Sequence, residues 1–124
     1  MCYNALVNQT ITRKDIYRKP SIQVDEGETP EQAAERELME ETGHRAGSLK
    51  YLGRYHPSNG SSNQVFHVYV ARGVTRVGEI QDTNEVIGFR WFTPPEVREM
   101  LARNEILDGL SLTGLCWSMT RGEI

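Results

Sequence analysis

The chain has 124 residues and a formal net charge of −3, and charged residues make up 25% of it. This length predicts a single domain with one modest core. The acidic balance argues against a general nucleic-acid-binding protein, which would carry a basic patch. No apolar run has the length of a membrane span and no signal peptide is evident. We therefore expect neither nucleic acid nor a membrane as a partner.

The two cysteines, Cys2 and Cys116, stand far apart and lack the spacing of a metal-binding pair. We interpret them as two free thiols. Free thiols are typical of a reducing compartment, so we expect a cytoplasmic protein.

The first part of the chain predicts two short extended segments and then a helix with clearly marked ends. The extended segments are residues 3–8 and 20–24, separated by a polar, basic stretch. Thr29, followed by Pro30 and Gln32, is typical of a helix N-terminus with a capping box. Gly43 supplies the C-terminal stop of the same helix.

The second part of the chain predicts three strands and two further helices. The strands are residues 49–55, 65–70 and 86–92, and the helices open after Thr93 and Asp108. Residues 65–70 are apolar enough on both faces to form a central strand of a sheet. Phe66, Tyr69 and Trp91 lie in apolar strands, so we expect them in the core. Helices mixed with strands indicate an α/β or α+β sandwich.

The first helix carries acidic side chains at spacings where they repel one another. Residues three and four apart are neighbours on a helix, so Glu37 lies beside both Glu40 and Glu41. Like charges at this spacing cost about 0.2–0.5 kcal/mol per pair. A divalent cation would offset this cost, because carboxylates together with water and phosphate oxygens are how proteins hold Mg²⁺. An acidic, solvated helix face is the alternative interpretation.

The spacing of these residues resembles the Nudix hydrolase signature, written G-x5-E-x7-R-E-U-x-E-E-x-G-U, where U is a bulky aliphatic residue. The residues in register are Glu28, Arg36, Glu37, Leu38, Glu40, Glu41 and Gly43. Two positions depart, because Ile22 stands at the first glycine and His44 replaces the final aliphatic residue. The resemblance implies an α/β fold, the α/β/α sandwich of that family with a mixed sheet. We expect one domain over residues 1–124, with its N-terminal segment and first strand missing or reduced.

The resemblance also implies which residues hold the metal ion. Glu37 and Glu41 are the expected ligands, with Glu40 assisting and the main-chain carbonyl of Ser21 as a further oxygen. Mg²⁺ is the expected ion, with Mn²⁺ as a substitute. Arg36 is expected to orient the carboxylates through its planar fork of donors.

The remaining candidate residues lie outside this ligand set. Glu28 is expected to stabilise the junction between loop and helix rather than to contact the metal. Related enzymes recruit a general base from a later loop, where Glu85 is the favoured candidate and Asp82 the second, beside Asn84. A solvated loop carboxylate is an equally good interpretation of either acid. We expect His67 to be a hydrogen-bonded residue of the sheet.

Residues 24–34, 52–60 and 105–112 resemble the ADP-ribose pyrophosphatase branch of the family. This implies a hydrolase that cleaves the pyrophosphate of a nucleoside diphosphate derivative, with ADP-ribose as the leading candidate. The alternative is a shortened, weakly active or inactive Nudix-fold protein that binds a nucleotide or a partner, because β-branched Ile22 poorly replaces a glycine with positive φ. A purely structural acidic domain is a third interpretation. We also expect a homodimer, because exposed sheet edges favour pairing with a second chain.

Overall fold

The computed structural model describes residues 2–7, 11–12, 26–79 and 91–124. Its elements are β1 (Cys2–Val7), β2 (Ile11–Thr12), α1 (Pro30–Thr42), β3 (His44–Arg45), β4 (Ser48–Tyr55), β5 (Phe66–Arg72), β6 (Thr75–Arg76), β7 (Trp91–Phe92), α2 (Pro94–Ala102) and α3 (Gly109–Thr120). None of the helices in these ranges is long and apolar enough to cross a membrane. The predicted extended segment 20–24 and most of the predicted strand 86–92 lie outside the described residues.

Strand β5 is the centre of a three-stranded sheet with the order β1-β5-β4. Strand β1 runs parallel to β5 and β4 runs antiparallel to it, so the sheet is mixed as predicted. Val68, Val70 and Ala71 in β5 are fully buried, which confirms the central position of this strand. Two shorter pairs, β2 with β7 and β3 with β6, are antiparallel.

Helices cover both faces of this sheet. Successive side chains of a strand point to opposite faces. On one face, Tyr69 packs in a cluster with Ala33 and Ala34 of α1. On the other face, Val68 packs in the main core with Leu115 of α3, along with residues from α2. The predicted α/β/α sandwich is therefore confirmed.

The ends of α2 and α3 also follow the predicted chemistry. The Thr93 hydroxyl accepts a hydrogen bond from the Glu96 backbone N–H, and the Thr93 backbone N–H donates to Glu96 Oε2 over 2.7 Å. At the start of α3, Asp108 Oδ2 accepts from the Ser111 backbone N–H over 2.9 Å. Both contacts satisfy first-turn N–H groups that have no partner within the helix.

Strand β4 contains an irregularity that makes room for α3. The pairing register with β5 shifts between Tyr51 and Gly53, so Leu52 is the extra residue of a bulge. Gly53 has a φ of 151°, and a β-carbon there would lie 2.5 Å from the Trp117 ring. Glycine is thus required at this position both by the backbone conformation and by the close approach of the indole.

The last turn of the chain is held to the sheet by a buried carboxylate. Glu123 is only 6% exposed, and its Oε2 accepts a hydrogen bond from Arg72 Nη2 over 2.7 Å. Lys50 donates to the other carboxylate oxygen, and Arg72 also donates to the Glu123 main-chain carbonyl over 3.0 Å. Because Lys50 lies in β4 and Arg72 in β5, one side chain joins both strands to the segment after α3.

We expect Gly53→Ala to lower the free energy of unfolding by about 1–3 kcal/mol, because an added methyl group overpacks the contact with Trp117. Urea denaturation followed by circular dichroism measures this change. Gly60→Ala is the matched control, since nothing lies within 4 Å of a β-carbon at that position. An equal effect of the two substitutions would contradict the close approach of the indole.

The hydrogen bonds from Lys50 and then Arg72 hold the pKa of Glu123 below its usual range. A carboxylate whose pKa is lower in the folded state stabilises the fold above its unfolded-state pKa, and this stabilisation is lost as the pH falls through the folded-state pKa. We therefore expect Glu123→Gln to lower the melting temperature at neutral pH. Below roughly pH 4, near the usual pKa of a glutamate, the variant should lose less further stability than the unmodified protein.

Thermal melts from neutral to acidic pH test this expectation. Glu105→Gln is the control, because Glu105 is an exposed acid near the same end of the chain. Parallel curves for the unmodified protein and Glu123→Gln across the acidic range would show that the ion pairs contribute nothing to acid sensitivity.

Candidate metal centre on the acidic helix

The start of α1 has the capping arrangement that the sequence predicts. The Thr29 hydroxyl accepts from the Gln32 backbone N–H over 3.1 Å, and Gln32 Oε1 accepts from the Thr29 N–H over 2.9 Å. Pro30 occupies the first turn, where its missing N–H has no cost. This reciprocal contact sets the residue at which the helix begins and therefore which side of it each acidic side chain occupies.

Gly43 ends α1 and contacts a later segment of the same chain. Gly43 has a φ of 68°, in the left-handed region, and its N–H donates to the Met39 carbonyl over 2.8 Å. Its own carbonyl accepts from the N–H groups of Val77 and Gly78, at 2.9 and 3.1 Å. A β-carbon at Gly43 would overlap the Gly78 carbonyl oxygen. The glycine is needed for both reasons, and the loop after β6 is thereby attached to the acidic helix.

The Arg36 guanidinium gathers three carboxylates at one edge of α1. It binds Glu28 through two nitrogens, with Nε to Oε1 at 2.9 Å and Nη2 to Oε2 at 3.2 Å. Its Nη1 donates to Glu37 Oε1 at 3.2 Å and to Glu40 Oε2 at 3.3 Å. A planar fork of donors suits this arrangement, whereas a lysine ammonium could not bind Glu28 in the same two-point way. The expected part of Glu28 at the junction between loop and helix agrees with this geometry.

Two of the expected metal ligands lie at the boundary between the core and solvent. Glu37 is only 7% exposed, and Glu41 follows one turn later with its Oε1 inaccessible to solvent. A buried carboxylate is costly unless hydrogen bonds or opposite charge compensate it. Arg36 supplies part of this compensation for Glu37.

The donor set fits a Mg²⁺ ion that is bound together with phosphate. Within residues 26–79 and 91–124, no group of three or more His, Cys, Asp or Glu side chains is arranged as a metal site. Mg²⁺ does not require such a cage, because it is usually held by one or two carboxylates plus water and substrate phosphates. Glu37 and Glu41, four residues apart on α1, match that requirement in number and chemistry.

The other candidates cannot be compared with the structure. Ser21, Ile22, Asp82, Asn84 and Glu85 lie outside the described residues. The metal-ligand role of the Ser21 carbonyl and the general-base role of Glu85 or Asp82 therefore stay predictions.

Three expectations about the sheet residues have different outcomes. Phe66 and Tyr69 are buried as predicted. Trp91 is 37% exposed, so its placement in the core was wrong. Side chains alternate along β7, and it is Phe92 that takes the core side of this strand. Trp91 instead contacts His44 edge to face, with ring centroids 5.3 Å apart.

His67 is a hydrogen-bonded sheet residue, as predicted. The Tyr51 hydroxyl lies 3.0 Å from its Nδ1. Burial, and after it the charge of Arg54 on the neighbouring strand, lowers the pKa of His67. Burial also raises the pKa of Tyr69, which packs against the Tyr51 ring. The carboxylates of the candidate metal centre are not among the causes of these shifts.

The family model described as NUDIX domain matches residues 20–110, which include the whole of α1 and the positions of the other candidates. The chain belongs to the Nudix family. This finding confirms the resemblance that the acidic motif suggests, and it shows that Ile22 and His44 are departures within a true member of the family.

Curated relatives place this Nudix protein near the ADP-ribose pyrophosphatase branch. The ADP-ribose pyrophosphatase of Bacillus subtilis is 28% identical over 97 residues, covering 77% of this chain and 52% of that protein. The CMP-5'-(N-acetyl-N-hydroxy-3-aminopropyl)phosphonate hydrolase of Streptomyces rubellomurinus is 33% identical over 92 residues, covering 74% of this chain and 45% of that protein. The chain thus spans about half the length of these relatives.

A solved structure confirms the fold independently. The crystal structure of an ADP compounds hydrolase superimposes with a TM-score of 0.68 over 82% of this chain and 57% of that one. The sequence identity is 21%, so this likeness concerns the fold alone.

We expect Glu28→Gln to lower the free energy of unfolding by about 1–3 kcal/mol, because it removes the charged partner of the two-point contact with Arg36. Glu35→Gln is the control, since Glu35 is an exposed acid on the same helix and should change stability by no more than about 0.5 kcal/mol. Chemical denaturation without divalent metal measures both values. A loss no larger for Glu28→Gln than for Glu35→Gln would show that this contact does not hold the acidic helix together.

Proposed function

We propose that the chain is a metal-dependent hydrolase that cleaves the pyrophosphate of a nucleoside diphosphate linked to another moiety. The observation that carries this proposal is the contact of Arg36 with Glu28, Glu37 and Glu40, on a helix that a capping box begins and the glycine of the motif ends. Relatives named ADP-ribose pyrophosphatase support the reaction class.

The acidic helix supplies the residues that bind the metal in this proposal. Nudix hydrolases generally use divalent metal ions. Glu37 and Glu41 would hold Mg²⁺, or Mn²⁺ in its place, with Glu40 and the Ser21 carbonyl as further oxygens. Such an ion neutralises phosphate oxygens and lowers the pKa of a bound water. Arg36 keeps the carboxylates of Glu37 and Glu40 in position before a substrate arrives.

The reaction is the addition of water across one phosphoric anhydride bond. A water oxygen attacks one phosphorus atom, and the bond from that phosphorus to the bridging oxygen breaks. Glu85, or Asp82 as the second candidate, would accept the proton of the attacking water, because a general base must lie within reach of that proton. The bridging oxygen leaves on the other phosphate, so the products are a nucleoside monophosphate and a second phosphate ester.

ADP-ribose is the first substrate to test, and its products would be AMP and ribose 5-phosphate. The support for this substrate is the similarity to two proteins named ADP-ribose pyrophosphatase, from Bacillus subtilis and Mycobacterium tuberculosis. The homodimer and the cytoplasmic location stay predictions of the sequence.

Ile22 favours a second candidate function, which is binding of a nucleotide or a partner with little turnover. A β-branched residue does not readily adopt the positive φ that a glycine provides. If the first glycine of the motif gives the loop its shape, Ile22 changes how that loop presents the Ser21 carbonyl. The metal would then be held by the α1 carboxylates alone.

We expect Glu41→Gln to reduce metal-dependent hydrolysis of ADP-ribose by at least about 100-fold, since the loss of even an outer-shell partner of a metal site costs 10–100-fold. Release of AMP with and without Mg²⁺ or Mn²⁺ measures the activity, and Glu35→Gln should keep it. Thermal shift with the same metals and nucleotides runs in parallel.

The outcomes separate the two functions. Hydrolysis that requires metal and is lost in Glu41→Gln supports the enzyme. Metal or nucleotide binding without hydrolysis would contradict it in favour of the binding protein. No response of either kind would leave only a structural role for the acidic helix.

A further inference from the structure

His44 occupies the motif position that normally holds a bulky aliphatic residue, and the structure gives its imidazole a specific contact. The side chain is buried, 8% exposed, with Nδ1 lying 2.7 Å from the Thr42 carbonyl oxygen. A carbonyl oxygen can only accept a hydrogen bond, so Nδ1 must carry the hydrogen and donate it. An aliphatic residue at this position could fill the same space but could not make this bond.

The acceptor of this bond belongs to the turn of α1 that carries Glu41. Carbonyls of the last helical turn lack N–H partners within the helix and require donors from elsewhere. Thr42 is held at three points, because its hydroxyl donates to the Leu38 carbonyl over 2.6 Å and accepts from the His44 N–H over 3.3 Å. The imidazole completes this set by binding the Thr42 carbonyl. Glu41 directly precedes Thr42, so the backbone that sets the direction of its carboxylate is held by His44.

The imidazole is itself held on its other sides. The Trp91 ring meets it at 80°, with ring centroids 5.3 Å apart. The backbone of His44 pairs with that of Arg76 in β6. His44 therefore lies between the end of α1 and strands β6 and β7, and it cannot turn away from the Thr42 carbonyl without losing both the ring contact and the hydrogen bond.

We propose that His44 is a positioning residue: by donating its Nδ1 hydrogen to the Thr42 carbonyl, it fixes the last turn of α1 so that Glu41 presents its carboxylate to a divalent cation in one geometry. This inference rests on the proposed function, in which Glu41 is a metal ligand. Histidine at this position therefore has a role that an aliphatic residue could not fill by packing alone.

Two substitutions separate the hydrogen bond from packing. His44→Leu introduces an apolar side chain of similar bulk, which restores the aliphatic residue of the motif but removes the Nδ1–H donor. His44→Asn keeps an N–H donor on a short planar side chain and loses ring volume. A purely structural role predicts that the leucine variant is the better of the two in every measurement.

The measurement is Mn²⁺ binding to the protein, both alone and with AMP present as a source of phosphate oxygens, followed by the electron paramagnetic resonance signal of the unbound ion. We expect His44→Leu to weaken Mn²⁺ binding by about tenfold, in the range typical for the loss of an outer-shell contact. His44→Asn should retain most of the affinity, even where its melting temperature is lower than that of His44→Leu. This opposite order of affinity and stability is the signature of a positioning role.

The failures can be told apart. Unchanged Mn²⁺ affinity in a folded His44→Leu, or a larger loss of affinity in His44→Asn than in His44→Leu, would overturn the role of His44 while leaving the proposed metal site standing. An unmodified protein that binds no Mn²⁺ under either condition would overturn the metal site and the role of His44 together. Glu41→Gln serves as the reference for loss of a ligand, and circular dichroism verifies that each variant is folded.

Discussion

The contact between the Arg36 guanidinium and the surrounding carboxylates is the interaction on which the acidic helix depends. Acidic side chains three and four residues apart repel one another, and α1 carries several such pairs. Arg36 binds Glu28 through two nitrogens and reaches Glu37 and Glu40 with a third. The contacts with Glu37 and Glu40 are partly exposed and share one nitrogen, so each of them alone contributes modestly. Together, the contacts of Arg36 form a network that keeps the carboxylates close to one another before any metal ion is bound.

The other side of α1 explains why these carboxylates have such different exposures. Ala33 and Ala34 are completely buried against the sheet, and their short side chains allow the helix to lie close to it. Leu38 extends the same contact to Ala71 of β5. Because the helix lies so close, Glu37 is drawn to the edge of the core, where a charge needs a partner more than it does in water. Packing and site chemistry therefore depend on the same few turns of helix.

Local chemistry accounts for what the sequence could predict. Thr29 and Gln32 cap α1 within four residues of each other, and Gly43 ends it, so the whole helix is visible in a short stretch. Strand β5 was predictable because its residues are apolar on both faces. By contrast, β3 and β6 have two residues each, which is too short for any period to show.

Contacts between distant parts of the chain carry no such local signal. Glu123 joins Lys50 and Arg72, which lie 73 and 51 residues away, and nothing around any of them marks the partners. The exposure of Trp91 follows from which side of β7 faces the core, and Phe92 competes for that side. An apolar pair on a short strand does not reveal which of the two residues is buried.

Some positions of the motif hold the acidic side chains of the metal site, and others determine the backbone and packing of the helix. The chain can depart from the motif at positions of the second, architectural kind. Gly43 has no substitute, because it needs a positive φ and would otherwise overlap the Gly78 carbonyl. The side chain at position 44 fills a buried space beside the end of α1, and the imidazole does so while adding a hydrogen bond to the Thr42 carbonyl. A departure at an architectural position can thus leave the acidic residues of the helix in register, which is why the spacing of the acids is better evidence for the metal site than the aliphatic consensus around them.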